Sequence, residues 1–243
     1  MKEENVKMDK SLIIVGVTLM IGLIIAGFAI RSGIRSLKTN TITVKGYAEK
    51  DINADFAIWG GTVSIIASDQ ADGYTKMKNQ TERVVQYLEK NGFPRNEIAI
   101  GQLNYYENFE YMNNVSYKNG YKFNQRISLE SKDIDKITNI AQKSSELLLE
   151  NIDFTSEEPQ YLYTKLDDLK IEMLASATND AKVRAEQIAK TGGNAIAGIN
   201  SAQQGVFQIT PKHSTLVYDY GMNDISSEYK TIKAVVTITY FLK

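Results

Sequence analysis

The chain has 243 residues, of which 43% are hydrophobic and 23% are charged, with three prolines and no cysteine. This composition excludes a disordered, collagen-like or disulfide-stapled protein, and the lack of cysteine excludes thiolate catalysis and cysteine-ligated zinc. The formal net charge is −1; residues 1–38 hold six basic and three acidic side chains, which leaves 22 basic and 26 acidic residues, a charge of −4, for the remainder. Nucleic-acid binding depends on clustered Lys and Arg, so this acidic body predicts no nucleic-acid partner.

Residues 11–30 read SLIIVGVTLMIGLIIAGFAI and contain no charged side chain. As a helix this segment would extend about 30 Å, the thickness of a bilayer's hydrocarbon core. We therefore expect an uncleaved transmembrane signal anchor over residues 11–30, after a short tail over residues 1–10 and before a linker over residues 31–40. A cleaved signal peptide with Gly27 and Ala29 at its processing site, or a buried soluble helix, are the alternatives. Three basic residues lie on each side of the segment, so charge does not set its orientation.

The first half of the body, from residue 41, predicts strands, a helix and a hairpin. Residues 41–67 alternate between apolar and polar side chains, which predicts two strands. Asp69 can cap the following helix, which Gly92 should end. Two further strands should share one face, because their large apolar side chains are all odd-numbered: Leu103, Tyr105, Phe109, Tyr111, Tyr121, Phe123, Ile127 and Leu129. Asn113-Asn114 and Asn119-Gly120 tolerate positive φ and predict a hairpin with a long tip.

The second half predicts a helix capped by Asp133, a strand over residues 151–163, and a long helix that begins with a Thr164/Asp167 capping box and ends at Gly192-Gly193. Alanines spaced three or four apart in that helix predict close packing on a sheet. Two strands, over residues 195–210 and 229–242, complete the pattern. The predicted class is therefore α+β: a largely antiparallel sheet with helices packed on one face, in the order ββα-ββα-βα-ββ, preceded by one N-terminal transmembrane helix.

Three sequence segments carry a resemblance to a known family. The opening TITVKGYAEKDINADFAIWGGTVS, the passage VVQYLEKNGFPRNEIAIGQLNYY and the long helix in YLYTKLDDLKIEMLASATNDAKVRAEQIAKTGG resemble the SIMPL-domain family over residues 41–243. The helix is the most specific segment, since it matches the family's A-x-x-D-A-x-x-K-A-E-x-x-A-x-x-x-G pattern at Ala177, Asp180, Ala181, Lys182, Ala185, Glu186, Ala189 and Gly192-Gly193, with Arg184 where Lys is expected. The stretch Ile52-Asn53-Ala54 departs from the family, which often has proline just before Asp55.

The resemblance implies an α+β fold, export beyond the cytoplasmic membrane of a bacterium, and a tendency of some relatives to form ring-like oligomers. It also implies a stress-related role in the cell envelope. It implies no catalytic residues, and the sequence predicts no cofactor-binding or metal-binding residues.

The residues themselves offer little for catalysis. His213 is the only histidine, so a His-metal cluster is impossible and a serine triad would need His213 itself. No phosphate-binding glycine motif occurs. Acidic pairs at Glu157-Glu158 and Asp167-Asp168 could bind a metal. However, strand neighbours point to opposite faces, and the helix dipole alone explains acidic residues in a first turn.

Fourteen tyrosines, many on the predicted strands, suit half-buried strand faces and protein interfaces. We therefore expect a non-enzymatic, membrane-anchored protein, single-pass, with its C-terminal domain outside the cytoplasmic membrane, that self-associates or binds an envelope protein through sheet edges and aromatic faces. No cofactor is expected. The alternatives are a carboxylate-metal-dependent hydrolase that uses some of Glu157, Glu158, Asp167 and Asp168, or an envelope protein that binds a small ligand.

Overall fold

The computed structural model of the protein describes residues 10–37, 40–216 and 219–243, without the side chains of residues 10–13 and 31–37. Residues 1–9 of the predicted tail and residues 38 and 39 of the predicted linker lie outside the described residues. The helices are α1 (Lys10–Leu37), α2 (Gln70–Lys90), α3 (Ile134–Lys143) and α4 (Leu166–Thr191). The strands are β1 (Thr41–Asn53), β2 (Phe56–Ala67), β3 (Ile98–Met112), β4 (Val115–Ser131), β5 (Phe154–Ser156), β6 (Gln160–Leu162), β7 (Ile196–Gln204), β8 (Gln208–Pro211), β9 (Met222–Asn223) and β10 (Tyr229–Leu242).

These elements confirm the α+β class but correct the single predicted sheet to two. One sheet has the order β1-β10-β8-β9, with β7 also paired to β10, and the other has the order β3-β4-β2-β5, with β6 also paired to β2. The chain changes sheet between β1 and β2: the Ala54 N–H donates to the Glu228 carbonyl, whereas the next N–H, of Asp55, donates to the Leu162 carbonyl. Both strands alternate in the same way, so the pattern alone did not indicate this switch.

The order of helices and strands differs from the predicted one where two single strands are divided and where one short strand is added. The predicted strand over residues 151–163 is β5 and β6, separated around Pro159, which has no N–H to donate to a ladder. The predicted strand over residues 195–210 is β7 and β8, and the Gly205 N–H between them still donates to the Val235 carbonyl. The short strand β9 was not predicted; it pairs in parallel with β8.

The local helix signals are mostly confirmed. Asp69 accepts a hydrogen bond from the Asp72 N–H at 2.9 Å, and Asp133 accepts one from the Lys136 N–H at 3.1 Å, so both residues cap their helices. α2 ends before Gly92, whose φ is +91°. The Thr164/Asp167 capping box is wrong: the Thr164 hydroxyl donates instead to Asp55, and Asp167 is almost fully exposed.

The chain divides into two compact units. The smaller contains α1, the start of β1 up to Lys45, residues 181–203 and residues 237–243. In it, the Leu242 N–H donates to the Asn40 carbonyl, and the Thr43 and Thr239 hydroxyls lie 2.8 Å apart. Among the described residues, no helix combines the length and the apolar character that a membrane crossing requires. The transmembrane assignment of residues 11–30 thus stays a prediction.

The larger unit contains residues 46–180 and 204–236. Its core lies between the β3-β4-β2 face and the helices α2 and α3, which both pack on β2 and β4. β2 pairs antiparallel with β4 from Ala57 opposite Ser131 to Ala67 opposite Tyr121, which directs odd-numbered side chains such as Trp59, Phe123 and Leu129 into this core. The predicted placement of helices on one face therefore holds for α2 and α3.

Candidate functional site: an aromatic arm

The β3–β4 hairpin extends beyond the rest of its sheet. Tyr121 pairs with Ala67 at the end of β2 and with Glu107 of β3, and beyond this point β3 and β4 pair with each other as far as Met112 and Val115. We call residues 108–120 the aromatic arm. At about 3.3 Å per residue, the arm is roughly 20 Å long.

The turn at the tip of the arm requires two residues with positive φ. Asn113 and Asn114 have φ of 50° and 64°, as a two-residue hairpin turn of the type that matches strand twist requires. The prediction of a long tip that includes Asn119-Gly120 was wrong. Gly120, with φ of +79°, lies within β4, opposite the point where the register of β3 shifts between Glu107 and Phe109. A Cβ at Gly120 would lie 2.2 Å from the Ala67 carbonyl oxygen, so only glycine fits there.

The base of the arm is held by aromatic contacts. The Tyr105 ring stacks on Phe123 at 5.4 Å between centroids and meets Tyr121 edge-on at 6.2 Å. Lys118 Nζ lies 2.7 Å from Glu107 Oε1 and 4.3 Å above the Tyr121 ring. The hydrogen bond to Glu107, and then that to the Tyr121 hydroxyl, raise the pKa of Lys118. The odd-numbered aromatic residues predicted to share a face are thus brought together.

Beyond this base, the arm exposes large apolar side chains. Phe109 is 48% exposed and Tyr111 77%, on the face that continues from Tyr105; Met112, Val115 and Tyr117 are 60, 48 and 55% exposed. In the register of the hairpin, Met112 pairs with Val115 and lies on the opposite face from Tyr111. A two-stranded ribbon is only marginally stable alone. Aromatic and methionine side chains in such a position are typical of the centre of a protein interface.

The edge of β3 is less suited to pairing with another strand. β3 is an end strand of its sheet, and its register with β4 is interrupted between Ile100 and Leu103 and again between Glu107 and Phe109. Such irregularities, together with the charges of Glu107 and Glu110, hinder edge-to-edge pairing. The geometry therefore favours contacts through the faces of the arm.

His213 lies in an exposed turn with φ of +66°. Nearby, Asp51 accepts a hydrogen bond from the Thr231 hydroxyl at 2.7 Å and pairs with Lys212 at 3.0 Å. Thr231 first, and then Lys212, lower the pKa of Asp51, with a smaller effect of the His213 charge. The Ser214 hydroxyl accepts from the Leu216 N–H, within the turn itself. This cluster attaches the turn to β1 and β10, and its contacts explain it without a substrate.

The four carboxylates considered for a metal site lie in different contexts. Glu157 pairs with Arg126 at 2.6 Å, and Glu158 lines a groove of about 360 Å³ with Tyr161 and Thr138. Asp167 is 97% exposed and lies 3.4 Å from Lys170. Within residues 10–37, 40–216 and 219–243, no three histidine, aspartate or glutamate side chains are close enough to hold a metal ion.

A groove of about 540 Å³ is the place to examine the alternative that the protein binds a small ligand. It is open and shallow, and Lys170 is its one cationic lining residue; the apolar lining is Leu166, Val206, Phe207, Ile209, Tyr220 and Met222. Tyr220 itself is 99% exposed. A binding site for a small ligand normally encloses most of its surface, which this groove does not do.

Sequence reasoning missed a buried ion pair. Lys230 Nζ lies 2.6 Å from the Asp224 carbonyl and 3.2 Å from its Oδ2, and both side chains are less than 5% exposed. The pKa of Asp224 is lowered: burial alone would raise it, but the hydrogen bonds from Ser226 and Lys230 have the larger combined effect. The pKa of Lys230 is also lowered, because the effect of its burial exceeds the opposing effect of the Asp224 carboxylate. No local pattern marks Lys230, because lysine in an alternating strand usually faces solvent.

Several residues in the segments that carry the family resemblance make contacts that support the fold. Asp180 of α4 accepts a hydrogen bond from the Tyr47 N–H at 2.8 Å, and Asp55 accepts two from Thr164. Ala177, Ala181, Ala185 and Ala189 are all buried, as the alanine stripe predicts. These residues hold the long helix and the first strand in place.

The two sheets, the helices α2 and α3 packed on one of them and the projecting arm together make an α+β fold. Residues 42–240 match the family model SIMPL, described as a protein of unknown function (DUF541), and the chain therefore belongs to the SIMPL family. A search of curated proteins gives no match.

Proposed function

We propose that this SIMPL-family chain is a non-enzymatic, membrane-anchored envelope protein that self-associates through its aromatic arm. The supporting observation is the arm itself, which presents Tyr111 and Phe109 on one face and Met112, Val115 and Tyr117 on the other. Exposure of apolar surface to water is unfavourable, and an association that buries this surface is therefore favourable. The alternative is that the arm binds a different envelope protein.

Anchoring through residues 11–30 is supported by the side chains of α1. Between Ile14 and Ile30 the large apolar side chains are all about half to two thirds exposed, from Val17 at 49% to Phe28 at 68%. Residues 11–13, whose side chains lie outside the described residues, complete the uncharged run of the sequence. An apolar helix whose described side chains are exposed along its length is best accommodated by lipid.

The membrane anchor also strengthens weak contacts. Confinement to a surface raises the effective concentration of each copy, so that individually weak arm contacts are enough for assembly. A catalytic role has less support, because Glu157 lies beside Arg126 and Asp167 beside Lys170, and the described part of the chain holds no cluster of three possible metal ligands. A nucleic-acid partner has little support either, since the body of the chain is acidic.

Because the chain has no native cysteine, a single introduced thiol can report on which side of the membrane the C-terminal domain lies. Asn114→Cys places one thiol at the tip of the arm, and an impermeant maleimide applied to intact cells should label it fully. Carbonate extraction should leave the full-length chain in the membrane fraction. Labelling only after lysis, or release of a chain that begins near Ile30, would contradict the proposed topology.

Calorimetry tests the enzymatic alternative. Titration of the full chain in detergent with calcium, magnesium or manganese should give no heat of binding. Heat that disappears in the Glu157→Gln or Asp167→Asn variant would instead support a carboxylate-metal site.

A further inference from the structure

The strand β7 has an outer edge without a partner in the described part of the chain. β7 pairs only with β10. At the start of this pairing the backbones of Ala195 and Lys243 exchange two hydrogen bonds, and at its end the Gly205 N–H donates to the Val235 carbonyl. The N–H and C=O groups on the other side of β7 have no strand to pair with, so they can pair with a strand from another molecule.

β7 is also exposed on both of its faces. Eight of its nine residues are exposed, and the remaining one, Ile196, is partly buried. Ile199 is 53% exposed, and a Cβ on Gly198 would meet no atom within 4 Å. The described part of the chain therefore leaves this strand uncovered, and another strand can reach its edge.

β7 lacks the side chains that usually protect an edge strand. Charged side chains and prolines commonly prevent an exposed strand from pairing with another molecule. β7 reads IAGINSAQQ and contains neither, and no charged side chain occurs anywhere between Lys190 and Lys212. This long neutral edge is therefore suited to pairing.

The other long edge strands are better protected. β1 is an end strand of the same sheet, but its Tyr47 N–H already donates to Asp180 Oδ2 at 2.8 Å. The charged side chains of β1 include Lys45, Glu49, Lys50 and Asp51. β3, at the end of the other sheet, has two register shifts and the charges of Glu107 and Glu110. Among these strands, β7 is the one whose edge is chemically open.

A second copy of the chain fits this edge. Like charges that lie opposite each other destabilise a pair of strands, and a neutral strand can lie antiparallel to itself without this cost. With Asn200 opposite its own copy, Ile199 lies opposite Ser201, and Gly198 opposite Ala202. All nine residues of β7 are then paired, over a length of roughly 30 Å.

The position of β7 near the proposed membrane anchor favours the same partner. β7 and α1 belong to the same compact unit. Next to the Ala195–Lys243 pair, the Leu242 N–H donates to the carbonyl of Asn40, which lies three residues after the end of α1. Copies anchored through α1 thus hold their β7 edges at a similar height above the bilayer. This confinement raises the effective concentration of one edge for another.

From these observations we infer that β7 of one copy pairs antiparallel with β7 of a second copy, centred on Asn200. The strand order across the two copies is then β1-β10-β7-β7-β10-β1, with a two-fold axis through the centre. The contact rests on the self-association proposed above and adds a second surface to the aromatic arm. A single pair of strands is only marginally stable alone, so this contact forms between copies that a membrane concentrates rather than in dilute detergent.

Disulfide trapping in vesicles tests the pairing. The full-length Asn200→Cys variant, reconstituted in phosphatidylcholine vesicles and mildly oxidised, should give about tenfold more disulfide-linked dimer than a matched control. The control is Asn104→Cys, at an exposed asparagine of the end strand β3 outside the aromatic arm. Equal cross-linking of the two variants would overturn the β7 contact.

A mixture of Ala197→Cys and Gln203→Cys chains tests the direction of the strands. In the antiparallel pair these two residues lie opposite each other, whereas two copies of the same variant hold their thiols about 20 Å apart. The mixed disulfide should therefore exceed either homodimer about tenfold. A majority of homodimers would contradict the antiparallel arrangement.

A charge exchange tests the contact without a thiol. It uses the Phe109→Ser/Tyr111→Ser/Tyr117→Ser background, which removes the arm contact, and energy transfer between labelled copies in vesicles. Asn200→Lys or Asn200→Asp alone places like charges opposite each other and should weaken association several-fold, whereas an equal mixture of the two should restore it. Asn200 is exposed, so folding should be unaffected. A mixture as weak as either variant would overturn the pairing.

The outcomes separate the β7 contact from the arm contact. A wild-type chain that associates in detergent, with only background cross-linking of Asn200→Cys in vesicles, would overturn the β7 pairing and leave the arm contact intact. Strong Asn200→Cys cross-linking that persists in the arm variant would support a separate β7 contact. A wild-type chain that remains monomeric in detergent and in vesicles would overturn both.

Discussion

Asp55 binds Thr164 through both oxygens of its carboxylate: Oδ1 accepts from the Thr164 N–H at 2.7 Å and Oδ2 from its hydroxyl at 2.8 Å. Asp55 lies where the chain leaves one sheet for the other, and Thr164 lies just before α4. A single side chain thus connects the crossing between sheets to the start of the long helix. This contact gives a structural role to Asp55, which lies in the opening segment that resembles the family.

We expect Asp55→Ala to lower the free energy of unfolding by about 1–3 kcal/mol, because two hydrogen bonds to a charged group are lost. Trp59, the single tryptophan and 2% exposed, reports unfolding in urea by its fluorescence. Asp167→Ala, at a residue that is 97% exposed, is the control and should change stability by less than about 0.5 kcal/mol. Equal effects of the two substitutions would show that the Asp55–Thr164 contact does not stabilise the fold.

Gly73 of α2 lies against Phe123, and a Cβ there would be 2.0 Å from the Phe123 ring. Alanine is the better helix former by about 1 kcal/mol, but overpacking a buried ring costs about 1–3 kcal/mol. We therefore expect Gly73→Ala to be destabilising. Asn79→Ala, at an exposed position of the same helix, should be neutral or slightly stabilising. If Gly73→Ala raised the urea midpoint, the close contact of α2 with β4 would be wrong.

Removal of one member of the buried Asp224–Lys230 pair leaves a charge without its partner. We expect Asp224→Ala and Lys230→Met each to lower stability by about 3–5 kcal/mol, and the double variant to lose much less than the sum. A double-mutant cycle of urea unfolding measures this coupling. Additive effects would mean that the two side chains do not interact in the folded protein.

The loss of stability in alkali depends partly on Tyr87. Its hydroxyl donates to the Lys143 carbonyl at 2.9 Å, and burial, followed by the neighbouring Glu146 carboxylate, raises the pKa of Tyr87 to about 12. Between about pH 10 and 12 the folded chain keeps a proton that the unfolded chain has lost, so stability should fall as the pH rises through this range. Tyr87→Phe should make this fall shallower.

Urea unfolding measured at several pH values between 8 and about 12 tests the role of Tyr87. Tyr74→Phe, which changes an exposed tyrosine of the same helix, is the matched control. An unchanged pH dependence in Tyr87→Phe would contradict the assigned environment of the hydroxyl.

Local signals in the sequence predicted much of the fold. The caps at Asp69 and Asp133, the helix stop at Gly92 and the hairpin with positive φ at Asn113-Asn114 depend on neighbouring residues and were correctly predicted, whereas the long hairpin tip was wrong. The single sheet was wrong because β1 and β2 alternate alike, and only the distant partners Glu228 and Leu162 separate them.

The same distinction applies to the candidate site. The odd-numbered face with Tyr105 and Phe123 could be read from the alternation of the two strands. The projection of the arm could not, because it depends on where β2 ends, opposite Tyr121.

Sedimentation velocity of the full chain in detergent, with and without the arm's aromatic side chains, tests the central claim most directly. The variant Phe109→Ser/Tyr111→Ser/Tyr117→Ser should remain folded, as judged by circular dichroism and Trp59 fluorescence, but sediment as a monomer at concentrations where the wild-type chain associates. A control with three exposed apolar residues changed elsewhere, Tyr74→Ser/Leu149→Ser/Ile171→Ser, should associate like the wild type. Equal association of the arm variant and the wild type, or a wild-type chain that is monomeric at every concentration, would contradict an aromatic arm that assembles the protein.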